Sequence, residues 1–361
     1  MKSSTLTKLW FASNFILLVL LIGVSWAMVY YLAIIPFQEE GGFAKLSELL
    51  SNPQLSRTLW WYDFLALAFD LLIVAVAIIG STWVMGHFAV EAREFRKWKR
   101  YYKEQGQYDV WVKRIGLWER IQHIWMMITF IICAFTGFTM YFGNNPYWKF
   151  IYASRETYVT IHILSGLAMG VLVVLHISYY GVQAITSKLR GEKLLEKYEL
   201  LKFYTLTFYK TLFRTLGWSI TEKIKPAKVG KYDEEQTFEY WGVYWGIAIL
   251  GIPGLIMALY GPKAYDGVMW IMHTKEAILA VVFILLVHIG YTHFRPSVFP
   301  YDPTFIHGKM PLKRIKEEHP LWYEKLVKEG VVKEEVEGPA SPSPVRVSSE
   351  SSRESGGDVS G

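Results

Sequence analysis

The sequence predicts an all-α integral membrane protein with six transmembrane helices. Three observations predict it. Of 361 residues, 52% are hydrophobic and only 19% charged, below the roughly 25% charged residues usual in soluble domains. Six apolar runs approach or exceed the roughly 20 residues that cross about 30 Å of hydrocarbon. Lysine and arginine, finally, alternate sharply between successive connections. The 15 Trp and 23 Tyr suit a chain with two membrane–water boundaries, where amphipathic rings settle.

The runs are taken in order. The first, about 10–35, follows Lys2 and Lys8. It is longer than a signal-peptide core and lacks a small-x-small cleavage pattern, so it is expected to remain as an anchor. The second, about 63–88, carries Asp70 in mid-span; the default expectation is that Asp70 accepts a hydrogen bond from a neighbouring helix, and proton carriage is the alternative. Residues 1–90 thus form a two-helix membrane unit, followed by a basic linker at 91–118. Four more runs, about 121–142, 158–183, 238–260 and 268–292, make a core within 119–300. Its loop 184–237 includes the stretch 191–219, a mixture of Lys, Glu, Leu and aromatics. That mixture suits an amphipathic helix along the interface or a soluble linker helix. Residues 301–337 form a C-terminal segment, and 338–361, with only a few valines to bury, is expected to be disordered.

Charge sets the direction. Residues 91–120 hold nine Lys or Arg and 184–237 hold eleven, whereas the other three connections share five: Lys45, Arg57, Lys149, Arg155 and Lys263. Positive loops stay in the cytoplasm. Both termini are therefore expected inside, and 36–62, 143–157 and 261–267 outside. The net charge of +6 belongs on this account to the membrane surface, with no nucleic-acid module. A single cysteine, Cys133, excludes a disulfide framework, a thiolate cluster and a CxxCH haem attachment.

Histidines supply the chemistry. His162 and His176 lie 14 residues apart in the fourth run, and His273 and His288 lie 15 apart in the sixth. These spacings are close to four helical turns and about 21–22 Å. Each helix therefore carries two imidazoles on one face, at two depths. Both helices run from outside to inside. His162 then meets His273 near the outer side, and His176 meets His288 near the inner side. Two stacked bis-histidine sites suit two haems. The last four helices thus read as a haem-binding four-helix bundle. Gly166, one turn after His162, and Gly137, in "AFTGF", would let a flat ring approach the backbone. Ionisable groups at membrane depth are costly and usually functional; a His-dependent proton or metal transporter is the competing reading.

Weaker signals surround these four. His123 and His87 sit at inner span ends. Lys275 and Glu276, beside His273, would pair with each other or face the haem edge. Arg120 and Arg155 lie where haem propionates would emerge, since guanidinium pairs with carboxylate, although basic residues at span ends are ordinary.

The residues also carry a family resemblance. "ERIQHIW" (119–125), "IHILSG" (161–166) followed by His176, "FEYWGVYWG" (238–246), "HTKEAILA" (273–280), "HIGYTHFRPSVFP" (288–300) and "EEHPLWYEKL" (317–326) fall in order. Over about 113–326 the chain resembles the two-haem cytochrome b subunits of membrane-bound formate dehydrogenase and nickel–iron hydrogenase. It is more similar still to the cytochromes b that work with multihaem cytochromes c. The resemblance does not extend to residues 1–90. It implies haem b, a quinone near the inner haem, and an inner ligand pair of His123 with His288. That leaves His176 over, whereas matching depth pairs His176 with His288. A third haem would need His123 or His176 with His87 or His293. Ile124 stands where the family has Trp directly after the first-helix His. The resemblance also implies a quinone headgroup beside the loop "GKYDEEQTFEYW", where Lys231, Tyr232, Asp233 and Gln236 offer donors and acceptors; an ordinary polar loop is the alternative.

The expected function is respiratory electron transport between membrane quinone and an iron–sulfur or multihaem cytochrome c subunit at the outer face. The chain has no nucleotide fingerprint, cysteine cluster or nucleophile constellation of its own. The outer loop 36–62 is long enough to help dock a partner. A transmembrane reductase for ferric iron or a soluble acceptor, without a quinone site, is the alternative.

Overall fold

The computed structural model describes residues 3–51, 57–93, 110–143, 154–221, 224 and 227–332. Six helices are long and apolar enough to cross a membrane: Lys8–Glu39, Trp60–Arg93, Leu117–Tyr141, Arg155–Leu189, Glu234–Tyr260 and Ala264–His293. They are spans 1 to 6 of a multi-pass membrane protein. Several begin before the apolar run because polar residues cap them. The Ser154 hydroxyl accepts from the Thr157 N–H at the start of span 4. Asp233 and Gln236 form a reciprocal capping box at the start of span 5. Such caps satisfy amide groups that the first helical turn leaves free. The expected tail 338–361 and most of the basic linker lie outside the described residues. By connectivity, the two strongly basic loops and residues 294–323 share one end of the bundle, called here the basic end.

Span 2 lies parallel to span 6 in a fixed register. Near the far end, the Lys275 ammonium donates to both Asp70 oxygens, at 2.6 and 2.8 Å, across 205 residues of sequence. At the basic end Arg295 pairs with Glu91 at 3.4 Å, across 204 residues. Between these pairs, Ile73 and Ala77 pack on Ile278, Val282 and Leu286, together with Val29, Leu32 and Ala33 of span 1. A Cβ at Gly80 would lie 3.1 Å from Val287 and 3.4 Å from Leu286. The glycine lets the helices approach closely, as small residues do at membrane helix contacts. Asp70 therefore accepts hydrogen bonds from a neighbouring helix, as the default expectation has it, and the donor is an ammonium. The expected Lys275–Glu276 pairing does not form, because consecutive helical residues point about 100° apart. Lys275 faces span 2, and Glu276 faces span 5, where its Oε1 would lie 3.2 Å from a Cβ at Gly246.

Two of the three packed spans carry a π-helical turn. Span 1 has one at Tyr30–Ile34 and span 6 one at Ile284–Ile289, which includes His288. A π turn inserts a residue and rotates everything beyond it, and such turns concentrate at functional sites.

A folded platform covers the basic end. Strand β1 (Trp111–Lys113) pairs antiparallel with β2 (Lys309–Pro311), setting Val112 opposite Met310. Three-residue strands give too short an alternation for the sequence to announce them. Around them runs a chain of buried ion pairs. Arg295 reaches Glu318 at 3.7 Å, Glu318 meets Arg314 at 3.0 Å, and Arg314 meets Asp302 at 2.7 Å. Burial opposes the charge on Asp302, but Arg314 and the Thr304 donors outweigh it and hold the carboxyl well below its ordinary range. In the stretch 191–219, a helix at Leu206–Ile220 buries Phe208 and leaves Leu206 and Phe213 exposed. Exposed apolar side chains on one face are what an interfacial helix offers to lipid. Two compact units are distinguished, Met1–Tyr323 and Glu324–Gly361; the described part of the second continues the helix Pro320–Lys328 and ends in a turn.

His319 gives the platform a pH dependence. It is 1% exposed, and its Nδ1 donates to the Gly230 carbonyl at 2.9 Å. Burial, reinforced by Arg114, pushes its pKa down from 6.5 to about 4. Above pH 6.5 the ring is neutral in both folded and unfolded chains and contributes nothing to the pH dependence. As the pH falls towards 4 only the unfolded chain binds the proton, so stability is lost. The loss approaches about 3 kcal/mol. Hydrogen-exchange protection factors across 295–323, taken relative to the intrinsic rate at each pH, are expected to fall between pH 6.5 and 4.5, and His319→Gln should remove that portion of the change.

Candidate functional site

Span 6 carries one member of each of two facing imidazole pairs. Near the far end the rings of His162 and His273 stand 5.8 Å apart between centroids, at 77°. Nearer the basic end the rings of His123 and His288 stand 6.2 Å apart, at 48°. Spans 3, 4 and 6 thus deliver four imidazoles at two levels.

The hydrogen bonds fix how these rings are used. The Thr136 hydroxyl donates to the Ile132 carbonyl at 2.6 Å, so its oxygen accepts from His162 Nδ1 at 3.0 Å. His273 Nδ1 donates to the Leu250 carbonyl at 2.8 Å. His288 Nδ1 meets the Glu239 carboxylate at 3.0 Å. In all three the Nδ1 proton points away from the facing ring, which leaves the Nε2 lone pair free. A histidine ready to bind metal is oriented in this way, its other nitrogen held by a carbonyl, hydroxyl or carboxylate.

Glycines open space beside the far pair. A Cβ at Gly137 would lie 3.3 Å from His162 Cε1. A Cβ at Gly254 would lie 3.0 and 3.1 Å from the Cε1 and Nδ1 of His273. Nothing lies within 4 Å of a Cβ built on Gly166 or Gly170. Gly137 and Gly166 were singled out from the sequence and Gly254 was not, although "GIPG" with Pro253 inside span 5 was the available signal. A valine at Gly254 is expected to tilt His273 and to weaken whatever group the His162–His273 couple holds, leaving the other couple unaffected. The reduced spectrum and extracted haem of Gly254→Val check this, with alanine giving a smaller loss.

His176 is not where depth alone put it. His288 faces His123, and both ring nitrogens of His176 are engaged: Nδ1 with Gln122 Oε1 at 2.5 Å and Nε2 with the Tyr240 hydroxyl at 2.6 Å. Gln122 precedes His123 in sequence, so His176 and His123 share one level. Depth could not choose between them, and rotation about the helix axes does. His87 is ringed by Trp83, Trp218 and Tyr291, with centroids 4.8, 5.0 and 4.9 Å away. His293 Nδ1 accepts the Asp302 N–H. Neither of the two faces another histidine in the described contacts.

Arg120 donates to the carbonyls of Ile306 and Gly116, tying span 3 to the platform. The loop expected to meet a quinone is occupied with its own structure. Asp233 and Gln236 cap span 5, and Gln236 Oε1 also accepts from Arg114 at 2.7 Å. The backbone N–H groups of Lys231 and Tyr232 both donate to Glu199, and Lys231 and Arg114 lie over the Tyr232 ring. Packing of a charged platform explains these side chains without a ligand.

Among the described residues no group of three or more His, Cys, Asp or Glu is arranged to hold a metal ion. Haem iron needs only two axial side chains, because the macrocycle supplies the other four donors. Two opposed imidazoles with free Nε2 atoms and a glycine-lined space beside them fit that requirement.

The chain matches, at 23% identity over 227 residues, the nitrate-inducible formate dehydrogenase cytochrome b556(Fdn) subunits of Escherichia coli K12, Escherichia coli O157:H7 and Shigella flexneri. The match covers 61% of this chain and 94% of each relative. The model of the prokaryotic cytochrome b561 family matches residues 114–300, which include all four facing histidines. The protein is a membrane cytochrome of b type that transfers electrons by means of haem b, and it belongs to the prokaryotic cytochrome b561 family.

Proposed function

We propose that the protein carries electrons across the cytoplasmic membrane through two haems b. The one observation that carries this reading is the pair of facing imidazole couples, His162–His273 and His123–His288. The first couple would hold the haem nearer the outer face and the second the haem nearer the cytoplasm. When bound, each haem supplies a one-electron Fe(III)/Fe(II) couple. The protein's part is to hold the axial imidazoles, through Thr136, Leu250 and Glu239, and to keep water from a conducting path through hydrocarbon. The lysine and arginine excess in the loops 91–120 and 184–237 supports an orientation with the basic end and both termini in the cytoplasm.

At the cytoplasmic side the reaction partner is a membrane quinone or quinol. At the outer side it is a redox protein, an iron–sulfur or multihaem cytochrome c subunit. The likeness to cytochrome b556 subunits of formate dehydrogenase supports both assignments, as does the absence from this sequence of any residue set for oxidising a substrate. The purified protein should show a reduced α-band of b type, and extraction should give two haems per chain. A short-chain quinol should reduce it, and a quinone mimic should block that reduction. A colourless protein ends the reading; a haem protein inert to every quinol would make it a reductase with soluble partners.

A further inference from the structure

The facing imidazoles are not held alike. His273 Nδ1 donates to the Leu250 carbonyl at 2.8 Å, and His162 Nδ1 to the Thr136 hydroxyl at 3.0 Å. Both acceptors are neutral. His288 Nδ1 instead donates to the Glu239 carboxylate at 3.0 Å. No other carboxylate bonds one of the four rings in the described contacts. The Glu239 side chain is 12% exposed. Its Oε1 is buried and has no partner, so no second donor draws charge away from His288. A buried polar atom left unpaired costs stability, and here the cost falls on the one carboxylate that touches either couple.

A carboxylate that accepts from Nδ1 draws that proton towards itself and makes the imidazole a stronger donor through Nε2. A stronger donor favours Fe(III) over Fe(II), and hydrogen bonding behind an axial ligand is one lever by which a protein sets a haem potential. A carbonyl or hydroxyl acts in the same sense but more weakly, since a charge-assisted hydrogen bond is about twice as strong as a neutral one. We propose that Glu239, acting through His288, gives the His123–His288 level the lower reduction potential of the two, so that electrons run downhill from the basic end to the far end. The inference rests on the two-haem reading above and adds a direction to it: the chain takes electrons from a quinol and delivers them to the outer redox protein. A quinol gives up two electrons and two protons. The electrons pass singly, each turning Fe(III) to Fe(II) at the far level as Fe(II) returns to Fe(III) at the basic one. The other charges near the two levels have partners of their own. Arg295 pairs with Glu91 and Glu318, and Arg314 with Glu318 and Asp302. Lys275 and Asp70 offset each other, while Glu276 faces Gly246.

The test is a potentiometric titration of the full-length protein followed at the α-bands, with haem content measured alongside. His162→Ala, which should keep only the haem of the basic end, assigns the bands. The wild type is expected to titrate in two steps, the His123–His288 level being the lower. Glu239→Gln should keep both haems and raise the lower step by about 59 mV or more, which is tenfold in a one-electron equilibrium, with the upper step unmoved. Glu239→Asp restores a carboxylate and should lie nearer the wild type. An unmoved lower step in Glu239→Gln, an equal shift of both steps, or loss of the basic-end haem overturns the inference, the last by giving Glu239 a merely structural role. So does a wild type whose lower step belongs to the His162–His273 level, a result that needs no Glu239 variant to fold. A colourless wild type is a different failure: the haem reading itself has then gone, and this inference with it.

Discussion

Replacing His162 or His273 with alanine is expected to halve the haem content. The missing haem should be the same one in both variants. The two rings face each other at 5.8 Å, each held by its own acceptor, Thr136 or the Leu250 carbonyl. On the proposed ligation, loss of either would leave the haem with one imidazole from this couple, and a b-type haem has no covalent tether to retain it. The second couple lies about four turns away along span 6 and does not share these acceptors. His123→Ala and His288→Ala should therefore remove the other haem, and each class should leave a distinct reduced α-band. His176→Ala should retain both, since its nitrogens bind Gln122 and Tyr240. Extraction of haem from the purified variants decides the matter. Full content in both His162→Ala and His273→Ala would dissolve the pairing.

Much of this was legible from the chain. Apolar length and loop charge indicate six spans because hydrocarbon tolerates almost nothing else. The His162–His273 couple follows from residue count alone, because both ends of that measurement lie on straight helix. His288 does not, since the π turn at Ile284–Ile289 intervenes and no count of residues reveals the rotation it introduces. The family resemblance paired His123 with His288, the couple the fold brings face to face. Depth alone preferred His176, because His123 and His176 stand level. The strands Trp111–Lys113 and Lys309–Pro311 were hidden for a different reason: their partners are about 200 residues apart and neither is long enough to show a pattern. The partner of Lys275 was hidden as well: of the two expectations, pairing with Glu276 or facing a haem edge, neither names Asp70, which lies 205 residues away in sequence.

The Lys275–Asp70 pair bears on what spans 1 and 2 do, since the family match begins only at residue 114. Lys275 lies within the matched region, yet its counter-ion, Asp70, comes from outside it. The side chains are 8% and 1% exposed. Asp70→Ala would leave an ammonium unpaired at membrane depth, a loss of about 3–5 kcal/mol for a buried pair broken on one side. The expected outcome is a markedly lower melting temperature, with weaker haem retention on the proposed ligation, because span 6 carries one histidine of each facing couple. Lys275→Met should harm the protein similarly by stranding the carboxylate. The double variant Asp70→Leu with Lys275→Met should recover most of the stability, since replacing both ions by apolar groups of like volume removes two desolvation costs together. A strongly non-additive cycle of this kind would show that the added helices clamp span 6 and thereby hold its two facing histidines in register. If instead the single and double variants all melt like the wild type, spans 1 and 2 are passengers, and the ion pair contributes nothing to the position of span 6.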